Sequence, residues 1–132
     1  MKGLLADTGP LYALADPEDQ FHERAREEVD RFYGEGYRPI ASCATLVEAH
    51  NLILHRLGIR AARRWLGELT TGIDLLNPLE EDYLNAVDLL KLYPDQDISL
   101  CDGVLAILSS QFELPVWTFD HHFDVMQAQV WR

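Results

Sequence analysis

Asp97-Ile98-Ser99-Leu100-Cys101-Asp102-Gly103-Val104-Leu105-Ala106-Ile107-Leu108 opens on a polar turn and runs into an almost wholly apolar segment. Ser99 followed three residues later by Asp102 reads as a capping box. The hydroxyl accepts from a first-turn N–H, and the acid sits at the positive end of the helix. Val104 to Leu108 offers no polar face, which predicts a buried helix over roughly Leu100 to Phe112. Asp102 then stands at the lip of a core element, where a carboxylate is costly unless hydrogen bonds or a cation compensate it. Capping alone would account for it. A chemical role requires other acids beside it.

Downstream, Leu114-Pro115 leads into Val116-Trp117-Thr118-Phe119, a β-branched and aromatic run that reads as a strand ended by Asp120. A short helical turn follows, and Val130-Trp131 reads as a last edge strand. Upstream, Gly72 to Leu76 reads as a strand, and Asn77-Pro78 turns into a helix from Leu79 to Leu92 that Pro94 breaks. Arg60 to Leu69 is a helix. Ser42 caps another through Leu57, stopped by Gly58. Pro39-Ile40-Ala41 is a brief strand. Before it, Asp19 caps a helix to about Tyr33, with Phe21, Ala25, Val29 and Phe32 near helical spacing. The chain begins with Lys2 to Ala6, rich enough for a buried strand. It is followed by Thr8 as an N-cap, Pro10 in a first turn and a short helix over Leu11 to Ala15.

Strands alternate with helices through short connections, which predicts an α/β sandwich with a largely parallel sheet of four or five strands. At 132 residues one domain is expected. No apolar run approaches the roughly 20 residues of a membrane span. The N-terminus turns acidic too soon for a signal peptide. Two cysteines, Cys43 and Cys101, make neither a disulfide framework nor a metal spacing, so a reduced cytoplasmic setting is expected. Twenty-two acidic against 11 basic side chains give a net charge of −11. That argues against nonspecific nucleic-acid binding, although acids gathered on a divalent cation repel nothing once it is bound.

Four carboxylates have surroundings unlike solvated surface. Asp7 follows Leu4-Leu5-Ala6, Asp120 follows Val116-Trp117-Thr118-Phe119, Asp102 precedes the buried helix, and Glu48 has apolar neighbours in Ala44-Thr45-Leu46-Val47-Glu48-Ala49. Each has a plain alternative: Asp7 and Asp120 could close Asx turns, and Glu48 could face water. In parallel sheets, ligand sites lie off the carboxyl ends of strands, where Asp7 and Asp120 are expected. Asp102 starts a helix after a loop, on a side where helices leading into parallel strands are not expected to begin. If the four converge, a cation is needed, because like charges a few ångströms apart cannot all ionise without one. All-oxygen ligands favour Mg²⁺ or Mn²⁺ over zinc, and such a site suits phosphoryl chemistry.

Asp7-Thr8-Gly9 after the first strand, Glu48 in a mid-chain helix, Ser99-Leu100-Cys101-Asp102 opening an apolar helix, and Thr118-Phe119-Asp120-His121-His122-Phe123 near the C-terminus together resemble the PIN domain. More narrowly they resemble the VapC-type toxins of type II toxin–antitoxin pairs, over essentially the whole chain. The resemblance implies a three-layer α/β/α sandwich and a Mg²⁺- or Mn²⁺-dependent endoribonuclease. By position, Asp7, Glu48, Asp102 and Asp120 are its metal-binding acids. Asp7 and Asp102 would be direct ligands, with Glu48 and Asp120 acting partly through water. Thr8 and Ser99 are supporting hydroxyls, and Asp124 is a further candidate acid. Where many relatives carry an acid two residues after the last Asp, this chain has His122, which bears on a second metal. Hydrolysis would leave a 5′-phosphate and a 3′-hydroxyl. The resemblance also implies a small antitoxin clasping the early helices, an RNA substrate and a homodimer. Apolar strips at Leu11, Tyr12 and Leu14, or at Trp131, are candidate dimer surfaces.

Other residues have competing readings. His121-His122 could ligate a transition metal but lacks a third ligand at useful spacing, and His122 reads better as a polar rim group. Arg56, Arg60, Arg63 and Arg64 form the main basic cluster. It is either a solvated face, with Glu68 partnering Arg64, or an RNA-phosphate rim. Trp65 and Trp117 read as core. Two other functions remain to be weighed. One is a catalytically silent PIN-fold module that binds metal or RNA. The other is a phosphatase with Asp7 as nucleophile, which would want a second Asp where Gly9 stands and a nearby lysine, whereas the only lysines are Lys2 and Lys91.

Overall fold

A computed structural model describes all residues from 1 to 132. Its pivot is β1 (Lys2–Ala6), in which Leu4, Leu5 and Ala6 are wholly buried. Leu4 and Ala6 face one apolar cluster and Leu5 the other, as the two-residue period of a strand requires. Parallel to β1 on one side runs β2 (Tyr37–Ser42), and beyond it β3 (Asp74–Leu76). On the other side of β1 lies β4 (Val116–Trp117), so the order is β3-β2-β1-β4. One face of the sheet is covered by α1 (Thr8–Ala15), α2 (His22–Gly34), α3 (Cys43–Leu57) and α4 (Ile59–Gly72). The other is covered by α5 (Glu80–Leu90), α6 (Leu100–Phe112) and α7 (His122–Val125). This is the three-layer α/β/α sandwich that the resemblance implies, and its parallel sheet has four strands where the sequence predicts four or five.

The chain leaves β1 toward β2 and later returns to β1's opposite edge as β4. The strand order therefore reverses between β1 and β4. A crevice opens there at the carboxyl ends of the strands, the place where open α/β sheets bind ligands.

Several boundaries differ from the sequence reading. Asp7, not Thr8, caps α1, because its carboxylate accepts from the Thr8 N–H. Asp19 does not cap α2; it closes a tight turn onto the Phe21 N–H, and the helix starts at His22. The last strand stops at Trp117 because Thr118 Oγ1 accepts from the Asp120 N–H and bends the chain. Val130 makes one bridge to Val116 rather than a strand. Beyond it the Trp131 ring turns inward, edge-on to Phe32 at 5.8 Å, and its Nε1 donates to Glu35. Of the candidate dimer strips, Leu11, Tyr12 and Trp131 are buried within the first apolar cluster, and only Leu14 is half-exposed beside it. Apolar side chains are exposed instead at Val47 and Leu100, which line a shallow recess with Cys43 and Tyr83. Trp65 and Trp117 are core, as expected.

Candidate metal centre

Asp7 is the first residue past β1 and is only 4% exposed. Its Oδ1 accepts from the Thr8 N–H at 2.8 Å, and its Oδ2 accepts from Thr118 Oγ1 at 2.8 Å. Thr118 in turn accepts from the Asp120 N–H at 2.9 Å, and Asp120 Oδ1 accepts from the His122 N–H at 2.9 Å. One run of hydrogen bonds thus ties the end of β1 to the loop after β4, across the crevice. Asp102 enters from α6, where Ser99 Oγ caps the helix by accepting from the Asp102 N–H at 3.1 Å. A short loop joins α6 to β4, so α6 runs back along the sheet and begins at its carboxyl edge. The sequence reading put Asp102 on the wrong side; the helix start belongs beside Asp7 and Asp120. Glu48 is half-buried in the second turn of α3, whose buried cap Ser42 is the last residue of β2.

Asp7, Glu48, Asp102 and Asp120 line one open pocket of about 550 Å³, together with Thr8 and Ser99. Their charges are felt. Burial pushes the Asp7 carboxyl up to about 7, and Asp102 and Asp120 add to this against the hydrogen bonds from Thr118 and Thr8. Asp102 is raised for the same reasons, burial first, then Asp120 and Glu48, with Ser99 opposing. Thr8 Oγ1 is buried in this pocket with no hydrogen-bond partner. Crowded carboxylates, an orphaned hydroxyl and an all-oxygen donor set fit a hard divalent cation. Cys101 offers no competing nucleophile, because burial and Glu48 push its thiol up to about 12.

No protein-family model and no curated protein matches the sequence. Solved structures do match the fold over nearly its whole length. VapC20 of Mycobacterium tuberculosis, a sarcin-ricin loop cleaving toxin, is 19% identical with a TM-score of 0.83, covering 95% of this chain and 95% of its own. VapBC2 of Rickettsia felis, solved with a DNA fragment from its promoter, is 8% identical with a TM-score of 0.75, covering 97% and 96%. VapBC-1 of nontypeable Haemophilus influenzae is 14% identical with a TM-score of 0.72, covering 98% and 96%.

The fold is the VapC-type PIN fold.

On this PIN scaffold not every candidate reaches the pocket. Asp124 is exposed and faces away, held by both oxygens to Arg132 at 2.7 and 2.8 Å. It follows the buried Phe123 on α7, which turns the next side chain outward. His122 Nδ1 lies 3.1 Å from Asp120 Oδ1 without hydrogen-bond alignment and is buried without a partner. The pocket rim carries His121 instead. Asp120, His121 and His122 bring ligand atoms within 4.8 Å of one another, which gives the two imidazoles the third partner the sequence lacked. Arg56, Arg60, Arg63 and Arg64 are all exposed on α3 and α4, outside the pocket; Arg64 makes no pair with Glu68, and Arg56 lies over the Tyr12 ring. Neither lysine serves Asp7. Lys2 sits over Tyr37 at the far end of β1, and Lys91 pairs with Asp88.

Three residues of the site carry no site signal in the sequence: Thr118, which holds Asp7, and Phe21 and Phe119 at the pocket's edge. A threonine two residues before an aspartate at a strand end signals a turn and nothing more. Nothing local marks the aromatic pair, whose members lie far apart in the chain.

Proposed function

We propose that this chain is a Mg²⁺- or Mn²⁺-dependent endoribonuclease, the toxin of a toxin–antitoxin pair. The observation that carries the reading is the meeting of Asp7, Glu48, Asp102 and Asp120 in one pocket at the strand-order reversal, with Asp7 pushed up to about 7. Asp7 and Asp102 would be the principal ligands, and Glu48 and Asp120 would complete the anionic wall. A bound divalent ion supplies a water of lowered pKa and neutralises charge on the phosphodiester. The chain's own part is preorganisation. The Thr8 N–H and Thr118 fix both oxygens of Asp7, and the Ser99 cap fixes the turn that carries Asp102. The sites are therefore held before substrate arrives.

The toxin reading is supported by the VapC and VapBC structures that share the fold. It brings with it a small antitoxin partner, an RNA substrate and a cytoplasmic setting. A homodimer belongs to the same reading, and the exposed Val47 on α3 and Leu100 on α6 are compatible with an apolar contact there.

The end groups of the product test the chemistry. Long RNA incubated with the purified chain and Mn²⁺ should yield fragments with 5′-phosphates and 3′-hydroxyls, open to a 5′-phosphate-dependent exonuclease. Fragments ending in 2′,3′-cyclic phosphates, with 5′-hydroxyls on the released ends, would show that the ribose 2′-oxygen and not water is the nucleophile, and would overturn the reading.

A further inference from the structure

The acidic pocket has an edge that its acids do not explain. Among its ten lining residues only Phe21 and Phe119 are apolar. Their ring centroids are 5.2 Å apart with the planes tilted by 43°. Phe21 is 37% exposed, a large apolar surface to leave in water beside carboxylates. Both rings are held in place. The Phe21 N–H is bound by Asp19 Oδ2 at 2.9 Å, and Phe119 stands between Thr118 and Asp120, which are both pinned by the hydrogen bonds running from Asp7. The Arg24 guanidinium lies 4.5 Å from the Phe119 centroid and 5.9 Å from that of Phe21, so a cation rests over the pair. Arg24 is also 3.3 Å from Glu28. The Arg24 side chain remains 55% exposed, so its guanidinium both covers the rings and faces solvent beside the pocket.

We propose that Phe21 and Phe119 form a stacking platform for the nucleobase next to the phosphodiester held at the acids, making them positioning residues for the RNA strand. The inference rests on the nuclease reading of the same pocket. A phosphodiester seated at the carboxylates places the adjoining base one sugar away, and these rings are the only apolar faces on the pocket wall. A phenyl ring stacks on any base, so the platform selects for an accessible base rather than for its identity. A base in a helix is already stacked on both faces. The nucleotide bound here is therefore one that is unpaired or splayed out. This also suits a protein of net charge −11, which holds a strand poorly by charge and gains from apolar contact.

The test is binding of a short, unstructured RNA carrying 2-aminopurine at successive positions, with Ca²⁺ in place of Mg²⁺ or Mn²⁺, followed by base fluorescence. Stacking should quench one position. Phe21→Ala should abolish that quench and weaken binding about 5- to 150-fold, the range expected for one stacked base, and Phe21→Trp should restore both. Phe119→Ala should act alike; should it disturb folding, the exposed Phe21 keeps the test intact. Unchanged affinity and quench in a folded Phe21→Ala protein, or no quenched position in the wild type, would overturn the proposal. The two readings fail separately. Cleavage with Mn²⁺ but no Phe21-dependent quench removes the platform and leaves the nuclease. A Phe21-dependent quench in a chain that cuts nothing does the reverse.

Discussion

At Asp7 the fold holds a carboxyl group whose ordinary pKa of 3.8 is pushed up to about 7. Between those values the metal-free folded chain binds a proton that the unfolded chain has lost. The stability tied to this group is therefore fully present below about 4 and is lost as pH rises through about 7. At about 1.4 kcal/mol per unit, the loss is roughly 4 kcal/mol at most, and Asp102, shifted the same way, adds to it. Asp7→Asn keeps an acceptor for the Thr8 N–H and removes the charge. In EDTA at pH 8 it should unfold at higher urea than the wild type, by roughly 1–4 kcal/mol, with the advantage gone at pH 4. Adding Mg²⁺ or Mn²⁺ should raise the wild-type melting temperature and not that of the variant. A variant less stable than wild type at pH 8 would mean that Asp7 serves the fold as a cap alone. The four acids stood out in the sequence because each adjoins apolar residues: Asp7 and Asp120 end apolar runs, Asp102 opens one, and Glu48 sits within one. His122 and Asp124 were misplaced because one buried neighbour, Phe123, sets which side of a short helix each faces, and no local pattern reveals that.

Each acid owes its position to the element beneath it. α3 begins at Ser42, a wholly buried cap whose Oγ accepts from the Thr45 N–H at 3.1 Å, and two turns of helix then carry Glu48 to the pocket. Ser42→Ala leaves that N–H unsatisfied in the core and should cost about 1–2 kcal/mol in urea unfolding. It should also weaken divalent-metal binding while leaving Asp7 and Asp102 in place. Wild-type metal affinity in this variant would show that α3 is seated by its apolar face alone. The strongly periodic or fully apolar elements were read correctly: β1 as Lys2–Ala6 and α6 as Leu100–Phe112. The ends of β4 and the start of α2 were not, because Thr118 and Asp19 side chains divert the backbone through bonds that any threonine or aspartate could make or decline. The side of the sheet on which α6 begins was misjudged from sequence, although chain direction alone fixes it: a helix that feeds a parallel strand must start at the opposite, carboxyl edge.

Across the whole molecule, topology does what proximity in sequence cannot. Residues 7, 48, 102 and 120 share a pocket because β1 lies between β2 and β4 and every connection returns to the same edge. The alternation of strands with helices was enough to predict an α/β sandwich on a parallel sheet; the meeting of the four acids followed only once the strand order was known. The exposed arginines of α3 and α4 lie outside this pocket, so the proposed cleavage site is defined by the acids and not by a basic surface. The most direct measurement is RNA cleavage by the purified chain in Mg²⁺ or Mn²⁺ and in EDTA, with Asp102→Asn and Asp124→Asn run beside it. Metal-dependent cutting should be lost by at least about a hundredfold in Asp102→Asn, the scale of a lost electrostatic catalytic group, and kept in Asp124→Asn. Cutting that survives EDTA or Asp102→Asn, or a chain that binds metal and cuts no RNA, would contradict the account.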